Sequence, residues 1–199
     1  MSFLCGKTNN QKNKIMSKKL VVCGDGACGK TSLLNVFTRD YFPEIYEPTV
    51  FENYVQEITV NDQQKIELSL WDTAGQEEFD RIRLLSYENT HVFMLCFSVE
   101  NRDSFHNIPD KWLEEVTEHS PHAKLVLVAL KCDLRQEKPD TILYQEGLEM
   151  AKSINAIRYL ECSAKHKRGV KECFQETAKV ALSVKLKSSH DSGSNCIIL

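Results

Sequence analysis

Short apolar runs alternate with helix-spaced patterns along most of the chain. Leu20-Val21-Val22-Cys23 has the pattern of a buried strand and stops at Gly24. From Lys30 to Thr38, Leu33, Leu34 and Phe37 fall at helical spacing. Two runs with period-two alternation follow, Val55 to Val60 and Ile66-Leu68-Leu70, with the turn chemistry of Asn61-Asp62 between them. They predict an antiparallel hairpin. Val92 to Val99 and Leu125 to Leu130 are continuous apolar runs. Residues 103–118 predict a helix with Trp112, Leu113 and Val116 on its apolar face, and residues 145–154 a short one. Ile157 to Cys162 is the last predicted strand. Gly169 to Lys187 predicts a closing helix that carries Val170, Cys173, Phe174, Thr177, Val180 and Ala181.

Strands buried on both faces and separated by helices imply an α/β fold. The expectation is a six-stranded, mostly parallel sheet with right-handed crossovers, one antiparallel edge strand and about five helices. Ligands on such sheets bind beyond the carboxyl ends of the strands. Functional residues are therefore expected just after Cys23, Trp71, Leu130 and Cys162.

Composition narrows the class. The 199 residues suit one domain, with 42% apolar and 27% charged positions. Residues 1–18, polar and lysine-bearing, read as a flexible arm, 19–187 as the domain, and 188–199 as a flexible tail. A net charge of −3 gives no basic field for nucleic acid. No apolar run is long enough to span a bilayer. The eight cysteines are scattered singly, without metal-ligand spacing, and are expected as reduced cytosolic thiols.

Gly24 to Thr31 reads GDGACGKT and fits the phosphate-loop pattern GxxxxGK(S/T), between a strand and a helix. Glycines there let the backbone wrap a phosphate chain with its N–H groups and the helix N-terminus pointing inward. Lys30 can reach the outer phosphates, and the Thr31 hydroxyl can bind Mg²⁺. Asp72 ends an alternating strand and suits a metal-associated acid acting through water. Gly75 allows a backbone N–H to approach a terminal phosphate, and Gln76 can orient an attacking water. Between the first helix and the second strand, Tyr41 to Tyr54 is broken by Pro43 and Pro48. Thr49 within it is the natural second hydroxyl for Mg²⁺.

Lys131-Cys132-Asp133 follows a buried strand. The Asp133 carboxylate can accept from both N1–H and the 2-amino group of guanine. Adenine lacks that amino group, so the site should reject ATP. The Lys131 stem can cover one face of the base and Phe42 can flank it. Ser163-Ala164-Lys165 supplies backbone N–H groups for the guanine carbonyl.

In this combination the sequence resembles the small GTPases of the Ras superfamily over about residues 18–183. YEPTVFENY (46–54) and WDTAGQEEFDRIR (71–83) resemble the Rho family. MSFLCG at the start, LKCDLR (130–135) and ECSAK (161–165) are similar to a fungal branch of it, the third Rho paralogue, linked to polarised growth, actin and exocytosis. The resemblance implies GTP and GDP as ligands and Mg²⁺ as cofactor, with Thr31 and Thr49 as metal ligands. It implies a nucleotide-contacting set of Gly24, Asp25, Gly26, Ala27, Cys28, Gly29, Lys30, Thr31, Ser32, Phe42, Thr49, Asp72, Thr73, Ala74, Gly75, Lys131, Cys132, Asp133, Leu134, Ser163, Ala164 and Lys165. Gln76 positions water. The effector surface is Tyr46, Glu47, Pro48, Thr49, Val50, Phe51, Glu52, Asn53 and Tyr54. Implied partners of the monomeric domain are an exchange factor, a GTPase-activating protein that supplies an arginine, a dissociation inhibitor and effectors of the actin and exocytosis machinery.

Three departures stand out. Leu130 occupies the place of the usual Asn or Thr before the base-reading lysine, which loses a polar tie to the phosphate loop. The stretch from Asp133 to Gly147 is too short for the helical insert typical of Rho proteins. The tail before Cys196 holds only Lys185 and Lys187.

The last four residues, Cys196-Ile197-Ile198-Leu199, form a C-a-a-X box whose terminal Leu favours geranylgeranyl. One lipid anchors reversibly, so a second signal is expected, and Cys5 is a candidate for palmitate. Plasma-membrane attachment on the cytoplasmic side, with a cytosolic pool, follows. Two other readings compete with this one. A small-molecule kinase would need an arginine-rich lid, and only Arg81 and Arg83 follow Gly75. A GTP-loaded scaffold that exchanges fast or does not hydrolyse would make no use of Gly26 and Gln76.

Overall fold

The apolar runs become six strands: β1 (Met16–Gly24), β2 (Phe51–Asn61), β3 (Gln64–Thr73), β4 (Val92–Ser98), β5 (Lys124–Leu130) and β6 (Arg158–Glu161). The computed structural model describes residues 15–45, 47–61 and 64–186. The strands form one sheet in the order β2-β3-β1-β4-β5-β6. Every pairing is parallel except β2 with β3, the expected hairpin. All seven residues of β4 are buried, as a central strand covered on both faces requires.

Five helices flank the sheet: α1 (Lys30–Arg39), α2 (Asp80–Leu85), α3 (102–119), α4 (Tyr144–Ser153) and α5 (Val170–Leu182). Two apolar clusters fill the two faces. One joins α1 and α5 to the sheet, with Phe37 stacked on Phe174 at 3.8 Å between centroids. The other holds Trp112, Phe93, Phe97 and Ile142 under α3 and α4. The Asn101 side chain caps α3 by accepting from the Ser104 N–H at 3.0 Å. α1 and α5 start from Gly29 and Gly169, both in the left-handed region.

Several boundaries differ from expectation. β1 begins at Met16, inside the stretch read as an arm, because its lysines find partners. The Lys18 ammonium donates to Val184 O at 2.6 Å, and that of Lys19 lies 3.9 Å from the Trp71 ring centroid. β2 starts at Phe51, so residues 51–54 of the expected irregular segment are strand, with Phe51 edge-on to Trp71 at 5.2 Å. The closing helix stops at Leu182 rather than Lys187. α3 is not uniform. A π-helical turn, Ile108–Leu113, with Pro109 at its start, separates α-helical Arg102–Asn107 from α-helical Glu114–His119. α2 carries no clear hydrophobic periodicity in the sequence. Tyr46, the lysine-bearing stretch 1–14 with Cys5, and the tail with Cys196 lie outside the described residues.

Candidate functional site

The carboxyl ends of β1, β3, β5 and β6 converge on one side of the sheet. A cleft of about 700 Å³ and a neighbouring cavity of about 130 Å³ open there, and Gly29, Ser32, Phe42 and Lys131 line both. The four places where the strands were expected to deliver chemistry therefore form one site.

The phosphate loop leaves β1 at Gly24, where φ is 143° and any Cβ would collide with Cys96 O. Ala27 and Gly29 also have positive φ, at 60° and 110°. These reversals wrap the loop around the N-terminus of α1, where backbone N–H groups have no intrahelical partner. The Lys30 ammonium folds over the loop and donates to Gly24 O and Asp25 O, both at 2.7 Å. Cys28 is buried against β4, with its thiol 3.8 Å from Cys96 O, and faces away from the cleft.

Beside Lys30 three oxygen groups meet. Thr31 Oγ1 lies 2.6 Å from Thr49 Oγ1 and donates to Asp72 Oδ2 at 2.6 Å. Asp72 is 0% exposed, and its Oδ1 is buried with no partner. Burial raises its pKa to about 6, despite the Thr31 hydrogen bond and the Lys30 charge that lower it. A buried carboxylate oxygen with an unused lone pair, next to two hydroxyls, is a donor set suited to a hard cation. Thr73 follows Asp72 but turns inward, donating to Val22 O at 2.8 Å; its hydroxyl braces β3 on β1.

The segment after β3, residues 74–76, packs directly on the phosphate loop. A Cβ on Gly75 would lie 2.5 Å from Gly24 O, which the loop backbone forbids. Gln76 sits opposite Gly26, and Ala74, Gly75 and Gln76 all line the cleft. Arg83, 1% exposed, donates from Nη1 to Ala74 O at 2.8 Å and Gln76 O at 3.4 Å. It also pairs with Asp80 and Glu115. Burial works against the charge of the Glu115 carboxylate, but hydrogen bonds from Arg83 and Tyr87 outweigh it and hold its pKa below the ordinary value.

At the other end, Leu130, Lys131, Asp133, Leu134, Ala164 and Lys165 line the smaller cavity with Gly29, Ser32 and Phe42. Asp133 Oδ1 is buried and unpartnered. Lys131 adopts φ 58°, and its ammonium donates to Glu100 Oε1 at 2.9 Å; Lys138 reaches the same carboxylate. Cys132 N donates to Cys162 O at 3.1 Å, which ties the loops after β5 and β6 together. The Cys132 thiol itself accepts from Arg168 at 3.7 Å and does not line the cavity. Ser163 is fully buried, bonded backbone to backbone with Arg168.

In the effector stretch, Glu47, Pro48, Val50, Glu52 and Asn53 are exposed, while Thr49, Phe51 and Tyr54 are partly covered. The Tyr54 hydroxyl donates to Glu52, and the Arg39 guanidinium lies 5.2 Å from the Tyr54 ring centroid. The sequence had not marked Glu100, Asn107, Trp112 or Glu115 as site-related. Pro109 inside a helical pattern was the one signal of an irregularity there.

A family model described as "Ras family" matches residues 19–183. The chain is 52% identical to GTP-binding protein RHO3 of Saccharomyces cerevisiae over 233 residues, covering 100% of both proteins. It is 58% identical to GTP-binding protein rho3 of Schizosaccharomyces pombe over 198 residues, 94% of this chain and 96% of that one. It is 52% identical to GTP-binding protein Rho3 of Schizophyllum commune over 206 residues, 98% and 99% of the two chains. Matching nearly end to end with Rho3 proteins, and over residues 19–183 with the family model, the chain belongs to the Ras family of small GTPases, on its Rho branch.

Proposed function

We propose that this GTP hydrolase is a membrane-anchored switch that cycles between GTP and GDP with Mg²⁺ and signals to actin organisation, polarised growth and exocytosis. The observation that carries the switch reading is the meeting of Thr31, Thr49 and Asp72, with Asp72 Oδ1 left unpartnered. Thr49 belongs to the segment before β2, whereas Thr31 and Asp72 belong to the rigid sheet and its first helix. A ligand bridging them converts the presence of a terminal phosphate into the position of residues 47–50. Thr31 and Thr49, with Asp72 acting through water, would hold Mg²⁺, which would supply charge neutralisation at the phosphates when bound.

The chain's own residues carry the remaining chemistry. Lys30 and the N–H groups of the phosphate loop stabilise negative charge on the transferred phosphoryl. Gln76 orients the attacking water. Asp133 selects guanine, because its buried Oδ1 is satisfied only by a ligand that presents N–H donors. Arg83 is committed to Glu115, Asp80 and main-chain carbonyls, so the stimulating arginine comes from a partner. Such an arginine is worth about 10³–10⁵ in rate, and intrinsic turnover is correspondingly slow. Regulators, effectors and a dissociation inhibitor act on residues 47–54, most of them exposed, and on α2. Lipid on Cys196, with Cys5 as a second site, holds the protein at the plasma membrane.

A second reading, a fast-exchanging scaffold kept in the GTP form, draws on Leu130, an apolar side chain between the base cavity and the phosphate loop. Acid denaturation of the purified protein, followed by chromatography of the released nucleotide, separates the readings. Near-stoichiometric GDP is expected. Mostly GTP would favour the scaffold, and adenine nucleotide would overturn the role of Asp133.

A further inference from the structure

Asp25 lies in the phosphate loop, one residue before Gly26, yet its side chain faces α3. Its Oδ1 accepts from Trp112 Nε1 and its Oδ2 from Asn107 Nδ2, both at 2.7 Å. Five residues separate these donors. On a regular α-helix they would point about 140° apart. The π-helical turn Ile108–Leu113 hydrogen-bonds i to i+5 and brings such a pair onto one face. The irregularity thus delivers two donors to one carboxylate.

The same indole supports the switch. The Arg83 guanidinium lies 4.8 Å from the Trp112 ring centroid. Its Nε and Nη2 donate to Glu115 at 2.9 and 2.7 Å, and Nη2 also to Asp80 at 2.5 Å. Its Nη1 donates to the carbonyls of Ala74 and Gln76, one on each side of Gly75. All the guanidinium donors are used, so Arg83 has one geometry. The loop that cradles phosphate and the peptide that carries Gln76 are both fastened to α3, on either side of Trp112.

We propose that Asp25, Trp112 and Arg83 are positioning residues for hydrolysis, which hold the Gln76 peptide in register with the phosphate loop through α3. This deepens the proposed mechanism and rests on Gln76 as the group that orients water. Stability alone does not require such an arrangement. A buried ion pair is commonly no better than an apolar replacement, whereas a misplacement of 1 Å at a reacting centre costs about 10²-fold in rate.

The test loads the full-length protein with GTP and Mg²⁺ and measures single-turnover hydrolysis, GDP release and melting temperature. Trp112→Phe keeps an aromatic ring beneath Arg83, removes the N–H to Asp25 and shrinks the buried ring system, a packing loss that the melting temperature reads. It is expected to slow hydrolysis by about tenfold while GDP release changes by less than about twofold. Asp25→Asn preserves volume and serves if the Trp112 variant fails to fold. Asp25→Asn combined with Arg83→Lys should slow hydrolysis less than the product of the single effects, by about threefold or more, because both act through one indole. In a Trp112→Leu background that coupling should vanish. Wild-type hydrolysis in Trp112→Phe and Asp25→Asn, or multiplicative effects in the double variant, would overturn the proposal. Gln76→Leu run in parallel separates the two levels. If Gln76→Leu abolishes hydrolysis while Trp112→Phe and Asp25→Asn do not slow it, positioning through α3 fails and the water-orienting role stands. If Gln76→Leu hydrolyses like wild type, both fail.

Discussion

A Cβ placed on Gly26 would lie 3.6 Å from Gln76 Cδ, an ordinary van der Waals contact and no more. One methyl fits between the phosphate loop and the Gln76 amide, and a branched side chain is expected to crowd it. Gly26→Val is expected to displace Gln76 and to lower GTP hydrolysis by about 10²-fold with GDP affinity little changed. Gly26→Ala should lie much closer to wild type. Single-turnover assays on both variants check the steric argument, and equal losses in the two would contradict it.

Gly75 leaves no such latitude. Its Cβ would run into the backbone of Gly24, Asp25 and Gly26. Gly75→Ala is expected to push the switch peptide off the phosphate loop. Hydrolysis should fall by about 10²-fold or more, while GDP, which lacks the terminal phosphate, should bind within a few-fold of wild type. Titration with GDP and with a non-hydrolysable GTP analogue measures the split. Equal weakening of both would point instead to a damaged phosphate loop.

Leu130 is 3% exposed and packs beside Gly29, with its Cδ1 3.7 Å from where a Gly29 Cβ would be. An amide there would have the loop backbone within reach, and one net hydrogen bond is worth about 0.5–1.5 kcal/mol. Leu130→Asn is therefore expected to slow GDP release by about three- to tenfold. Stopped-flow release of a fluorescent GDP reads this directly, and unchanged or faster release would show that the position does not govern exchange.

His91 accepts from Lys19 N–H through Nδ1 at 3.1 Å. Burial, with the charges of Lys18 and Lys19, lowers its pKa to about 4, so the folded protein holds the ring neutral where the unfolded chain protonates it. Its contribution to stability is whole above the unfolded value of about 6.5 and is lost as pH falls from there toward 4. Urea denaturation of the GDP-bound protein between pH 7 and pH 4 should show this loss, and His91→Asn, which retains an acceptor, should flatten it. An unchanged slope in the variant would assign the loss to carboxylates.

The legible parts of the structure were those in which the chemistry is local. The phosphate loop could be read because its glycines, Lys30 and Thr31 are set by backbone conformation within eight consecutive residues. The strands β4 and β5 could be read because burial on both faces leaves a continuous apolar run. The start of β1 was hidden because Lys18 and Lys19 enter a strand only with partners distant in sequence, Val184 and Trp71. Trp112 was legible as core, which it is, but its N–H is spoken for by Asp25, 87 positions away. That pairing depends on the π-helical turn, and no hydrophobic period reports such a turn. The role of Arg83 was not legible, since its carbonyl partners carry no sequence signature at all.

The bond from Lys18 to Val184 O fastens the first turn of β1 to the chain just after α5. β1 runs from there to Gly24, about 20 Å of extended chain, before the phosphate loop begins. The described chain therefore enters and leaves at the pole opposite the nucleotide. Were the proposed lipids on Cys5 and Cys196 both present, the two attachments would not compete for orientation. Each would raise the effective concentration of the other at the same surface, and both would leave the cleft, residues 47–54 and α2 turned toward the solvent.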